Sequence, residues 1–351
     1  MKIEEIVKDL DPVTIIEFKN YLNEHIKDLC STKNSNSKVI SKYKNETVYC
    51  KKCGSKVHRN GKTKNGVQKY ICSSCKRTFS ETTDTTTYHS KLSFEVWSNV
   101  IDNLINGFSL RRIAEENNIS LLTSFRLRHK VLHALNTFIL HITLSGNIQS
   151  DEKYFGINLK GTKPSNMPRF SKKRTSTKSP YRGISHHKIC VVSSIDENDN
   201  LLLKIVGLGR CTTEMLNDSL GLKINKAISV TTDSASAYQE FCKNNNLVLN
   251  AVPSGFHSDG LINISEINGV HSQLESWLSK FRGISTRHLQ DYLNWFVYVF
   301  TMKKRFKLSK IKTESYSKIL IDSNYISSNN LFHVPLPINL NIAYAEYINQ
   351  S

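Results

Sequence analysis

The chain has 351 residues, with 48 Lys and Arg against 30 Asp and Glu, a formal net charge of +18 at pH 7. That length holds one sizeable core plus one or two small modules and argues against a single uninterrupted fold, while the charge makes a polyanion, nucleic acid first, the expected partner. The longest apolar stretch, Trp295 to Met302, falls well short of the roughly 20 residues that span a bilayer, and Met1-Lys-Ile-Glu-Glu lacks a signal-peptide core, so the expected location is the cytoplasm, on the nucleoid.

Residues 1–45 read as a helical segment and a linker. Ile6, Leu10, Ile15, Phe18, Leu22, Ile26 and Leu29 recur at mostly three- and four-residue steps, interrupted near Pro12, and the polar run from Ser31 follows. Four of the eight cysteines then form two pairs, Cys50-Lys-Lys-Cys53 and Cys72-Ser-Ser-Cys75, with eighteen residues between them. Each pair offers two thiolates from one tight knuckle, the spacing of a structural zinc site and not of a disulfide framework. A zinc ribbon is expected over 46–82, with Lys56 to Tyr70 as a hairpin and Asn65-Gly66 at its tip. Its basic residues, Arg59, Lys62, Lys64, Lys76 and Arg77 among them, suit contact with a phosphate backbone.

Past a Thr-rich connector at 82–87, a helix-turn-helix is expected within 88–140. Leu92 to Leu104 has a helical pattern. A short helix with Leu110, Ile113 and Ala114 inward leads through Asn117 and Asn118 to a second helix capped by Ser120. In that second helix Leu121, Phe125, Leu132 and Leu135 are expected in the core, leaving Thr123, Arg126, Lys130 and Arg128 to face a DNA groove.

After Gly146 the periodicity turns strand-like. Strands are expected at Ile148–Ile157, His187–Ile195 and Leu201–Leu208, then a helix at Thr212–Leu220, a strand at Ala227–Thr232, a helix at Ala235–Asn244 and a strand at Leu247–Val252. Helices at Ile267–Phe281 and Thr286–Lys304 complete the series. This is the element order of the ribonuclease H fold, a mixed five-stranded sheet flanked by helices. The whole is therefore a multidomain α+β chain whose RNase H-like α/β domain spans 146–305, with 306–351 as a tail that suits an arm on a second subunit. Asp151 on the first strand and Asp233 just past the fourth fall where that fold holds metal ligands. The basic insert with Lys172, Lys173, Arg174, Lys178 and Arg182 is either a solvated loop or a further DNA contact.

At this point the chain resembles bacterial insertion-sequence transposases that carry a zinc ribbon before an RNase H-like domain. The resemblance rests on the ribbon cysteines, Asp151-Glu-Lys-Tyr-Phe, Arg182-Gly-Ile-Ser-His-His-Lys-Ile-Cys-Val-Val, Thr232-Asp-Ser-Ala-Ser-Ala-Tyr238, and Ile267-Asn-Gly-Val-His-Ser-Gln-Leu-Glu-Ser-Trp277 with the Phe281 to Leu289 segment. It implies excision and insertion of a DNA element by an Asp, Asp and third-residue triad, the third being Glu, Asn or His. Here the matching third position is His271, with Glu275 one turn later as competitor. A basic residue that follows the third ligand in the family corresponds to Lys280 or Arg282.

Phosphodiester cleavage needs an activated water on one side of phosphorus and a stabilised leaving oxygen on the other, which two Mg2+ or Mn2+ ions about 3.5–4 Å apart supply together. Asp151 is the candidate bridge, with Asp233 and His271 or Glu275 as flanking ligands. An imidazole ligand would favour manganese and predicts loss of activity as pH falls through the histidine range. Two other functions share these residues: a zinc-ribbon and helix-turn-helix regulator with an inactive domain, and a nuclease that cuts without joining. A transposase joins two element ends and is expected to act on double-stranded DNA as a homodimer or larger assembly.

Overall fold

The computed structural model describes residues 48–64, 66–161, 183–224, 226–233, 236–253, 258–259, 262–281, 283–306, 315, 319–320 and 325–340. The helical segment expected over 1–45, the insert residues Lys172, Lys173, Arg174, Lys178 and Arg182, and Arg282 lie outside the described residues. The chain divides into two compact units, one taking in positions up to Thr83 with Ser90–Ser98, the other Asp84–His89 and positions from Asn99 onward.

In the smaller unit the expected hairpin is present as β1 (Val57–Lys62) and β2 (Gln68–Cys72). Gly66, at φ 78°, takes the left-handed conformation that closes the turn. A third strand, β3 (Thr78–Ser80), not expected from the sequence, pairs antiparallel with β2. At three residues it is too short for an alternation to register, but it lays Phe79 against Tyr70 with ring centroids 5.7 Å apart.

Next along the chain are α1 (Phe94–Ile105), α2 (Leu110–Glu116), α3 (Leu121–Ala134) and a short α4 (Asn136–Leu140). The cap read at Ser120 is present, and Ser109, not singled out from the sequence, caps α2 in the same way. Ser109 Oγ accepts the Arg112 amide at 3.3 Å and Ser120 Oγ the Thr123 amide at 3.1 Å. The outward face expected for α3 needs correcting. Its second half packs against α8 as well as α2, so Leu127 through Leu132 are buried in an unbroken run. Arg128, 2% exposed, donates to the Tyr292 hydroxyl and the Phe108 carbonyl and lies over the rings of Phe281 and Trp295, and Lys130 is buried too. Neither faces a groove within this fold. Leu121, expected in the core, is half exposed, and Phe125 is only partly covered.

The larger core is built on a five-stranded sheet. After β4 (Ser145–Gly156), β5 (Lys188–Asp196) and β6 (Leu201–Leu208) come α5 (Thr213–Leu220), β7 (Lys226–Asp233), α6 (Ser236–Asn244) and β8 (Val248–Val252). Two short strands, β9 (Ser258–Asp259) and β10 (Ile262–Asn263), pair with each other ahead of α7 (Ser265–Ser279), α8 (Thr286–Arg305) and α9 (Ser328–Phe332). The sheet order is β6-β5-β4-β7-β8, antiparallel across β6, β5 and β4 and parallel from β4 to β7 and β8.

Strand alternation sends neighbouring residues to opposite layers. Val191, Leu203 and Ile205 pack with Ile267, Val270 and Leu274 of α7 and Leu289, Leu293 and Phe296 of α8. Val192, Leu202 and Val230 pack with Leu216 of α5 and Tyr238 and Phe241 of α6.

The described part of 306–351 is not an extended arm. Ile319, Leu320 and Leu331 are buried, Ser315 shares a 2.8 Å hydrogen bond with Tyr298, and Phe332 of α9 stacks on Phe125 at 5.6 Å. Its Ser and Asn content hid apolar residues spaced widely enough to dock singly.

Candidate functional sites

In the smaller unit the four cysteines converge as expected. Their sulfurs lie within 4.8 Å of one another, Cys50 to Cys75 at 3.6 Å and Cys53 to Cys72 at 3.5 Å, and none is in a disulfide. Hydrogen bonds from the Ser55 hydroxyl and amide bring Cys53 down to about 6. Four thiols at this separation, with one already inclined to ionise, are a donor set compatible with zinc. Arg59, Lys62, Lys64, Lys76 and Arg77 are all exposed.

The second site is assembled at the sheet. β4 pairs with β7 only through Gln149, so beyond that point the two strands part, and Asp151 on one and Asp233 at the end of the other face the gap. One carboxylate oxygen from each of Asp151, Glu152 and Asp233 lies within 4.8 Å of the others. From α7, the buried His271 turns Nδ1 to within 3.4 Å of Asp151 Oδ2. That helix is tied to the strand by Gln149, whose Oε1 accepts the backbone amides of Glu266 and Ile267, each at 3.1 Å. The N-cap residue Ile264 offers no side-chain acceptor, so Gln149 supplies it from across the fold.

The electrostatics are those of anions crowded out of water. Burial, then the charge of Asp233, raises Asp151 to about 6. Burial, then Asp151 and Asp233, raises Glu152 to about 7, against a hydrogen bond from the fully buried Tyr238. Burial, reinforced by Lys153, lowers His271 to about 4, so its ring is neutral at pH 7, the form that ligates metals. Glu152 Oε1, Asp233 Oδ1 and His271 Nε2 are buried without a hydrogen-bond partner among the described residues. Carboxylates crowded so that Asp151 and Glu152 hold protons more tightly, beside unpaired oxygen and nitrogen atoms, fit a divalent cation, which would relieve both costs.

Glu275 does not join this cluster. It is largely exposed and paired with Lys153 Nζ at 2.5 Å, a contact that lowers its proton affinity. Lys280 caps the far end of α7, exposed and nine residues beyond His271, about 13 Å along the axis at 1.5 Å per residue. Glu152 was missed as a site residue although it belongs to the Asp151-Glu-Lys-Tyr-Phe motif, because strict alternation assigns it to the opposite face from Asp151. Thr123 is partly buried, its hydroxyl 2.9 Å from Ser120 Oγ, and Arg126 lies over the Phe332 ring at 5.9 Å.

Residues 143–301, the stretch holding the whole sheet and most of α8, match the ISXO2-like transposase domain. A relative from Halobacterium salinarum, an uncharacterized protein in transposable element ISH50, is 26% identical over 253 residues, covering 71% of this chain and 84% of its own. Among solved structures, a pre-cleavage Mos1 transpososome is similar with TM-score 0.27 and 14% identity over 62% of this chain and 75% of that one. The Mos1 strand transfer complex is similar with TM-score 0.26 and 14% identity over 67% of this chain and 79% of that one. At those scores no geometry is carried over from either. No described helix is long and apolar enough to cross a membrane.

Proposed function

We propose that this chain, whose residues 143–301 are an insertion-sequence transposase domain, binds the ends of its element and breaks and rejoins DNA at the carboxylate cluster of an RNase H-like domain. The observation that carries the proposal is the convergence of Asp151, Asp233 and His271 from β4, β7 and α7, three elements distant in sequence. Asp151 lies centrally, close to both Asp233 and His271, which suits a bridging ligand. Asp233 would hold one ion and His271 the other, in preference to the paired and exposed Glu275.

Two divalent ions held there, manganese preferred over magnesium because one donor is an imidazole, would polarise the phosphodiester and activate the attacking hydroxyl. The chain's own residues do the rest. Glu152, proton-hungry beside Asp151, is able to hold a proton near neutrality, with the Tyr238 hydroxyl hydrogen-bonded to it. Burial brings His271 down to about 4, which would put its own protonation below the range in which the neighbouring carboxylates titrate. The acid limit belongs to Asp151 and Glu152, and activity should rise as pH passes from about 6 to about 7.

The ribbon, with zinc at Cys50, Cys53, Cys72 and Cys75, and the α2–α3 pair would bind double-stranded DNA. Arg59, Lys62, Lys64, Lys76 and Arg77 would meet phosphates, with Thr123 and Arg126 the remaining groove candidates on α3. Two chains at least are needed to bring two ends together.

The test is incubation of the chain with duplex carrying the element's terminal repeats and manganese. Strand-transfer products are expected. Hydrolysis alone would make it a nuclease, and a gel shift without cleavage a binder. His271→Ala should reduce cleavage by at least a hundredfold and Glu275→Ala by only a few fold, and the reverse order would move the third ligand to Glu275.

A further inference from the structure

Away from the cysteines and the carboxylates, the larger unit holds another convergence of metal-binding side chains. His129 of α3 and His288 and Asp291 of α8 each bring a ligand atom within 4.8 Å of the others. Positions 288 and 291, three apart, share one face of α8, and His129 meets them from the facing helix. The two imidazoles lie with centroids 4.1 Å apart, walled by Phe125 at 4.3 Å from the His129 ring, with Tyr292 at 6.2 Å.

What makes the group unusual is what its atoms fail to do. His129 is 2% exposed and its Nδ1 is buried without a hydrogen-bond partner among the described residues, and His288 Nδ1 is in the same position. His288 Nδ1 stands 3.9 Å from Asp291 Oδ2, too far for a hydrogen bond. A packed core does not ordinarily leave two adjacent imidazole nitrogens unsatisfied beside a carboxylate. Atoms held apart by more than a hydrogen bond, yet all within reach of a single point, are spaced for an ion to sit among them.

The carboxylate is also held from behind. Asp291 Oδ1 accepts from Asn136 Nδ2 at 3.4 Å, and Asn136 Oδ1 accepts from Asn294 Nδ2 at 2.7 Å. Asn294 Oδ1 in turn accepts from Gln290 Nε2 at 2.8 Å, and Gln290 Oε1 takes the Ile205 amide of β6 at 2.8 Å. A relay of amides running from a ligand to the sheet is the outer support that metal sites use to orient their donors. The Arg128 guanidinium, beside His129 in sequence, is hydrogen-bonded to the Tyr292 hydroxyl and the Phe108 carbonyl.

We propose that His129, His288 and Asp291 form an additional divalent-metal site of the zinc class that fastens α3 to α8. Two imidazole nitrogens and one carboxylate oxygen are a donor set suited to zinc, with water completing four-coordination. The ion would lock the helix pair assigned to DNA to the long helix that lies under the catalytic sheet.

The experiment is metal analysis of the full chain after loading with zinc and washing in excess magnesium, with zinc per chain counted by mass spectrometry. Two equivalents are expected, one at the cysteines and one here. Asp291→Asn and His288→Gln should each retain one, whereas Asp151→Asn should still retain two. Cobalt substitution reads the same site independently, because the absorption of a nitrogen and oxygen site should vanish in Asp291→Asn while the thiolate bands remain. A single equivalent in the unmodified chain overturns the proposal whatever the variants do. So does a second equivalent that survives both substitutions.

Discussion

The cysteine cluster and the carboxylate cluster are both places where like groups are crowded within 4.8 Å, but they are assembled in opposite ways. The sulfurs come from two knuckles, each pair fixed by two intervening residues, so the site is written into local spacing. The carboxylates and His271 come from the middle of β4, the end of β7 and a helix, and they meet because β4 and β7 are adjacent in the sheet and Gln149 ties down α7. In so small a unit, a metal held by the four cysteines would be needed for folding. The second site is held by a large core, and its crowded carboxylates would be relieved by a cation.

Removing metal should separate the two most sharply. A strong chelator is expected to unfold residues 48–83, because binding in comparable cysteine sites is worth roughly 10–16 kcal/mol and so small a unit has little else. The larger unit should keep its own unfolding transition. Hydrogen exchange by residue would read this directly: protection lost across β1 to β3 but kept in β5 breaks them apart, and protection retained in β1 to β3 would show that the ribbon does not need its ion.

At the carboxylates the same removal should have a milder and pH-dependent effect. Asp151 sits at about 6 and Glu152 at about 7, both above their ordinary values, so the metal-free fold favours their protonated forms. That contribution is fully present below their ordinary values of 3.8 and 4.5 and is lost progressively as pH rises from there through about 6 for Asp151 and about 7 for Glu152, at about 1.4 kcal/mol for each pKa unit. Asp151→Asn is therefore expected to abolish cleavage while raising the melting temperature of the metal-free chain at pH 7.5 by a few degrees. Manganese should raise the melting temperature of the unmodified chain at pH 7.5 and have little effect at pH 5. A melting temperature that falls in Asp151→Asn would mean that the cluster is a structural network and not a site for cations.

These differences explain how far the sequence could be read. Cysteine spacing identifies the first site without any fold. The second was approachable because alternating strands and helical periods reveal an element order that places Asp151 and Asp233 in one neighbourhood, while the resemblance to insertion-sequence transposases pointed to His271 or Glu275 on the following helix. What stayed hidden depends on packing that no period reports. Glu152 reaches the gap because β4 loses its β7 partner after Gln149, which alternation cannot foresee. Arg128 and Lys130 read as groove residues because a charged side chain on a helix is usually solvated. They are buried because α3 is covered on two sides, with Arg128 hydrogen-bonded to Tyr292 and Phe108. His129 and His288, far apart in sequence, leave no pattern at all.

The basic side chains of the two regions should diverge next. Arg128→Ala is expected to cost about 2–4 kcal/mol, by stranding buried partners and opening space beside Phe281 and Trp295. Chemical denaturation would show this as a lower midpoint. Arg59→Ala should leave the midpoint alone, weaken DNA binding evenly across sequences, and reduce the slope of log affinity against log salt by about one. An Arg128→Ala chain that is as stable as the original but binds DNA poorly would return Arg128 to the groove.

The smallest effect concerns the tie that makes the long-range site possible. Gln149→Leu leaves the Glu266 and Ile267 amides without their acceptor, a loss of about 1 kcal/mol by analogy with helix caps. Because His271 lies one turn beyond Ile267, a small loss of helix position should lower cleavage by about tenfold while the ribbon is untouched. Gln149→Glu keeps an acceptor at the helix N-terminus, where negative charge is favoured, and should restore stability and most of the activity. If Gln149→Leu lowers stability but leaves cleavage unchanged, α7 is not what delivers the third ligand, and the contrast between a locally built site and a tertiary one fails at its weakest contact.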